Sequence, residues 1–218
     1  KIDYVLISHD HYDHLEMETI QHFRDDKITF IVPLGVSSHL KKWGVPSDKI
    51  VELDWWQTMG IDELEFICTP AQHYSGRKGM TDIQKSLWAS WVVTSDNKSI
   101  YYSGDSGYGD HYQQIGDRHG PFDLVFMDSG QYNVRWQGVH NMPEQAVQAF
   151  RDTKGKHLVP VGWGMFSMAM HDWYEPPAEI HKIASAQKLS VILPVLGLRV
   201  DLKNLPLLEK WWESDLQK

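Results

Sequence analysis

The stretch Tyr4-Val5-Leu6-Ile7-Ser8-His9-Asp10-His11-Tyr12-Asp13-His14 decides how this chain is read. Its first four residues form an apolar run that predicts a buried strand. Four potential metal ligands follow within six residues: His9, His11, Asp13 and His14. A strand end is a rigid mount, and the loop after it can fold these side chains onto one point. Neutral imidazoles and a carboxylate suit zinc or another borderline first-row ion. A surface loop that is merely rich in histidine rarely carries this spacing behind an apolar strand.

Outward from this stretch, strand and helix signals alternate, which predicts an α/β layered fold. Helices are expected over residues 16–25, 36–43, 143–152, 177–187 and 205–216. Strands are expected over 28–33, 51–53, 64–68, 87–94, 99–103, 122–128, 157–161 and 191–193. Asp96-Asn97 reads as a hairpin turn. Pro143 suits the first turn of its helix, with Asn141 or Met142 at the cap. No repeat or linker interrupts the pattern, so residues 1–218 read as a single domain.

Most polar motifs sit just behind a strand-like run. His73 follows 64–68, Asp105 follows 100–103, Asp128 ends 124–128, and Gly162-Trp163-Gly164 follows 158–161. Loops collected along one sheet edge are how α/β folds build sites.

Composition narrows the function classes. The net charge of −8 disfavours a nucleic-acid binder. The single cysteine, Cys68, excludes an internal disulfide and fits a reducing, cytoplasmic setting. No apolar run reaches the roughly 18 residues of a membrane span. The chain opens at Lys1, three residues ahead of an apparent core strand. We therefore expect a preceding segment of the same protein to supply neighbours for that strand.

Two further motifs carry chemistry. Thr69-Pro70-Ala71-Gln72-His73-Tyr74-Ser75-Gly76-Arg77 offers another imidazole in a loop behind a strand. Ser103-Gly104-Asp105-Ser106-Gly107-Tyr108 sets one carboxylate between glycines, where close backbone approach is allowed. With the His9-x-His11-x-Asp13-His14 run, these segments resemble the metallo-β-lactamase superfamily. Together with His140-Asn141-Met142-Pro143-Glu144 and Trp163-Gly164-Met165-Phe166, they resemble its branch containing N-acyl-phosphatidylethanolamine phospholipase D and bacterial relatives. The resemblance runs from residue 1 to about 180.

The resemblance implies an αββα sandwich with its first strands upstream of this chain, and metal ions at one end of the two sheets. It implies that His9, His11 and His73 hold one ion, that Asp13 and His14 hold a second, and that Asp105 bridges them. Zinc is expected, as one or two ions, with manganese or iron as alternatives. The family pattern places a histidine directly before Trp-Gly, where this chain has Gly162. The second ion would then be weak, be completed by water, or be completed by His171 or His140. Arg77 is a candidate contact for an anionic substrate, and Asp128 a candidate partner for a ligand histidine.

The implied function is a hydrolase using a metal-held hydroxide, with Asp13 orienting it. A small-molecule or lipid-like phosphodiester is the expected substrate. A lactone or other carboxyl ester is the alternative, since one fold serves both. A metal-binding protein with weak catalysis is the reading that Gly162 keeps open.

Overall fold

A computed structural model describes residues 1–25, 27–166, 168–203 and 210–215. The apolar run after Lys1 forms β1 (Tyr4–Leu6), which pairs in parallel with β2 (Thr29–Pro33). In turn β2 pairs in parallel with β3 (Ile50–Leu53). Between these strands lie α1 (Met17–Phe23) and α2 (Ser37–Lys42). Parallel neighbours need such crossovers, so the first sheet is built from helix-linked strands.

The second sheet has six strands in sequence order. They are β4 (Thr58–Ile61), β5 (Leu64–Thr69), β6 (Ser90–Ser95), β7 (Lys98–Tyr102), β8 (Phe122–Asp128) and β9 (Gly155–Val161). Pairing is antiparallel from β4 to β7 and parallel from β7 to β9. The crossovers are α3 (His111–His119) and α4 (Pro143–Asp152); α5 (Glu175–Ala186) and the short α6 (Trp211–Asp215) follow.

The alternation of side chains along each strand assigns the layers. On β2, Phe30 and Val32 pack with Ile20 and Leu40 from the helices, whereas Ile31 faces the other way. Ile31 meets Phe66, Cys68 and Trp91 of the second sheet, forming the core between the sheets. On β5, Ile67 points outward and joins Val92, Tyr101, Val125 and Leu158 beneath Ile115, Val147 and Ile180 of the outer helices. The layers are therefore helix, sheet, sheet, helix, as the resemblance implied.

Several boundaries differ from the sequence reading. Strand β4 and helix α3 were not expected. β4 is a short, mostly exposed edge strand containing Gly60, and it shows no apolar alternation. α3 is mostly polar and carries Gly116, a weak helix former. Leu87 lies outside β6, and 191–193 contributes only an isolated bridge from Val191 to Leu158. Of the helix expected over 205–216, residues 205–209 and 216 lie outside those described; α6 covers 211–215 of the remainder. No helix among the described residues is long and apolar enough to cross a membrane.

Candidate metal centre

The C-terminal ends of β5, β7, β8 and β9 share one edge of the second sheet, because these four strands run in the same direction. The loop behind β1 meets that edge. Trp91 on β6 ties the two together: its buried indole N–H donates to the Ile7 carbonyl at 2.9 Å. The Ala89 amide donates to the Ser8 carbonyl at 2.8 Å, one residue before His9.

This juxtaposition gathers the histidines. His9 Nε2 lies 2.9 Å from His11 Nδ1, and His73 Nε2 lies 3.2 Å from the same atom. Donors about 2.0–2.1 Å from a tetrahedral zinc stand roughly 3.3–3.4 Å apart, so the spacing suits one ion. The outer nitrogens are already engaged. His73 Nδ1 donates to the Val139 carbonyl at 3.0 Å, and His9 Nδ1 lies 3.0 Å from Ser8 Oγ. Such contacts fix the tautomer and leave lone pairs turned toward one another. Three converging lone pairs repel unless a cation or protons sit between them, which is the property of a metal site.

A second group adjoins the first. Asp105 Oδ2 lies 3.0 Å from His14 Nε2, 3.8 Å from His73 Nε2 and 3.9 Å from His9 Nε2. Asp13 Oδ2 lies 3.4 Å from His14 Nε2. Asp105 thus touches both groups, the position from which a carboxylate bridges two ions. Gly104 sets it there: φ is +59°, and a side chain at 104 would lie 2.7 Å from the Ser8 Cβ. Only glycine lets the β7 loop approach the β1 loop so closely.

Burial and charge divide the histidines. Burial lowers the pKa of His9 and His11, and it takes His73 down to about 4. Burial acts on His14 in the same sense, but hydrogen bonds to Asp105 and Asp13 overturn it and lift His14 to about 10. For Asp105 burial works upward, yet the His14 contact outweighs it and holds the carboxyl well below its ordinary value. The first group is thus ready to bind a cation, and the second already attracts positive charge.

The remaining sequence candidates separate. Asp128 is buried and accepts a hydrogen bond from His140 Nδ1 at 2.9 Å. His140 lies in one ligand-competent group with His73 and Asp105. His171 belongs to no such group among the described residues; it stacks on Tyr132 at 4.4 Å between centroids. Of the two substitutes weighed for the missing histidine, His140 is the one that lies in a ligand-competent group among the described residues, beside Asp105 and His73 and in no group with His14 or Asp13. Gly162 has φ +82°, and a Cβ there would meet Asp128 Oδ1 at 3.4 Å. The backbone turn itself thus favours glycine at this position.

Arg77 packs against the back of the ligand loop. Its Nη1 donates to the carbonyls of Leu15 at 2.6 Å, Asp10 at 2.7 Å and His11 at 3.5 Å. It clamps the ligand loop from behind. Sequence reasoning missed Asp10, whose carboxylate accepts the Gly76 amide at 2.7 Å and Ser86 Oγ at 2.8 Å. Its place between two ligand histidines was the available signal. It also missed Gln131, whose amide bonds the Gly162 carbonyl at 3.2 Å and the Ala169 amide at 2.9 Å; no sequence signal marked it. The centre opens into a cavity of about 600 Å³ bounded in part by Asp13, Asp105, Trp163, Met165 and Phe166.

The sequence model of the beta-lactamase superfamily domain matches residues 1–163. The chain is 44% identical over 215 residues to an uncharacterized protein of Mycobacterium tuberculosis, covering 97% of this chain and 57% of that one. It is 30% identical over 200 residues to N-acyl-phosphatidylethanolamine-hydrolyzing phospholipase D 1 of Caenorhabditis elegans, covering 86% and 56%. A metallo hydrolase from the archaeon Ignicoccus hospitalis shares the fold, with a TM-score of 0.71 at 23% identity over 90% of this chain and 77% of that one. The chain spans a little over half the length of the first two relatives. With the family match covering most of its residues and a ligand cluster on the sheet edge, this chain belongs to the metallo-β-lactamase superfamily.

Proposed function

We propose that this protein is a metal-dependent hydrolase acting on a phosphodiester, in the manner of a phospholipase D. The observation that carries the reading is Asp105, which touches a three-histidine group on one side and the His14–Asp13 pair on the other. His9, His11 and His73 would hold one ion; Asp13, His14 and Asp105 would hold another, with His140 beside Asp105 and His73. Ions bound there supply a water nucleophile acidified to near-neutral pKa and positive charge for a developing phosphoryl charge.

The chain's own groups do the rest. Contact with His14 keeps Asp13 ionised against the opposing effect of burial, so it accepts a hydrogen bond from the attacking water and orients it. Asp128 holds His140 by Nδ1 and so leaves Nε2 for the site. Trp163, Met165 and Phe166 give the cavity an apolar wall suited to the organic part of an ester. The relatives named as phospholipases support a phosphodiester over a lactone.

The test is a substrate panel on zinc-, manganese- and iron-loaded protein: N-acyl-phosphatidylethanolamine, an aryl phosphodiester, and lactones. Phosphodiester turnover is expected, with loss on chelation and in Asp105→Ala. Lactone turnover exceeding phosphodiester turnover for every metal would overturn the phosphodiester reading.

A further inference from the structure

We infer that the chain carries a second, separate anion site built on Arg77, for a ligand bearing a phosphate group. The site is a cavity of about 720 Å³ between α2 and the loop at 77–86. Its cationic lining is Arg77, Lys42, Lys78 and Lys85, with His39. None of the three lysine ammonium groups has an ion-pair or hydrogen-bond partner among the described residues. This concentration of positive charge runs against the chain's net charge of −8, so it is a local feature and not general basicity.

Arg77 makes the cavity more than a patch of surface lysines. Its guanidinium lies between two rings, 4.0 Å from the Tyr12 centroid and 5.2 Å from that of Trp43. Nη1 is held by the loop carbonyls. Nε and Nη2 have no partner among the described residues. The fork is fixed in place with donors to spare, the arrangement that recognises phosphate oxygens.

Two carboxylates also line the cavity, and both are engaged. Asp10 accepts from Gly76 and Ser86 and lies 3.4 Å from His39 Nε2. Asp82 Oδ1 accepts the amides of Arg77 at 3.1 Å and Lys78 at 2.6 Å. Four cations thus face two occupied carboxylates. A multiply charged tetrahedral group answers that excess better than a single carboxylate does. Tyr12 lines both this cavity and those at the metal centre, so the two sites open beside each other. The inference does not depend on the phosphodiester reading, because none of these cations is a metal-ligand candidate.

The test is titration of the metal-loaded protein with inorganic phosphate, by calorimetry and by the NMR shift of the Trp43 indole N–H. Saturable binding that moves the Trp43 signal is expected. The Lys42→Ala/Lys78→Ala/Lys85→Ala variant should bind at least about tenfold more weakly. Asp105→Asn, which damages the metal centre, should leave this binding unchanged. Co-sedimentation with phosphatidylglycerol vesicles, but not phosphatidylcholine vesicles, and only with the lysines present, would identify a lipid headgroup as the source. Phosphate binding without vesicle binding would identify a soluble phosphate. Unaltered affinity in the triple variant, or loss of binding in Asp105→Asn, would overturn the proposal.

Discussion

His73 and His14 stand in one cluster, yet their surroundings drive them to opposite charge states, about 4 and about 10. Burial, helped by neighbouring His140 and His11, decides the direction at His73, whereas two carboxylates reverse it at His14. The consequence for metal binding has a definite sign. Burial holds all three imidazoles of the first group below the ordinary histidine pKa, so above neutral pH no imidazolium proton there has to be displaced by an ion. His14 keeps its proton until pH approaches 10, so an ion entering the second group must release it. First-group affinity should therefore be nearly flat from pH 7 to 9, while second-group affinity rises by about tenfold per pH unit. Chelator-competition titrations at three pH values measure both, and equal slopes would refute the assignment. Gly162 sets a second residue-scale expectation. At φ +82° a histidine is strained, so Gly162→His should cost about 1–3 kcal/mol of stability. It should not tighten the second ion, and denaturation with parallel metal counting checks both points.

Among the elements, the loop between β1 and α1 depends on its neighbours more than on itself. Arg77 reaches it from behind β5 and holds the carbonyls of Asp10 and Leu15, which bracket the ligand loop. Arg77→Ala should weaken first-ion affinity by roughly 10–100-fold although Arg77 touches no ligand side chain. Arg77→Lys should recover little, because an ammonium lacks the planar fork; metal titration of both variants decides. The segment before α4 supplies the other element-scale contrast. His140→Ala should lower second-ion occupancy and His171→Ala should not, since only His140 lies with His73 and Asp105. These dependencies mark where sequence reading stops. The His9–His14 spacing and the apolar runs behind β2, β5 and β8 were legible because side-chain type carries the signal. The Arg77 clamp was not, because its acceptors are backbone carbonyls that any residue offers. Nor could sequence choose between His140 and His171, two histidines in loops whose paths depend on tertiary packing. Strand β4 and helix α3 escaped for a related reason: β4 is held by pairing to β5, and α3 by burying Tyr112 and Ile115, not by an obvious periodicity.

At the scale of the whole molecule, the metal centre sits where two sheets meet, so its geometry is tied to the core between them. Trp91 is the clearest link. It is fully buried with Ile31, Phe66 and Cys68, and its indole N–H is the hydrogen bond to Ile7 that fixes the end of β1 two residues before His9. Trp91→Phe keeps most of the apolar volume but leaves the Ile7 carbonyl without this donor. The loss should be about 1–3 kcal/mol in chemical denaturation of the metal-free chain. If the sheets and the centre act as one unit, the ion should also stabilise the variant less than the natural chain. A freed β1 end would have to be ordered when His9 and His11 converge, and that ordering reduces the net gain from binding. Denaturation of both proteins at a fixed excess of zinc, and again with chelator, gives the two metal increments. A smaller increment in Trp91→Phe would place the inter-sheet core within the metal site's support. Equal increments would mean that the histidine loop holds its shape without it, leaving the Arg77 clamp and the Ala89–Ser8 backbone bond as the contacts that position His9.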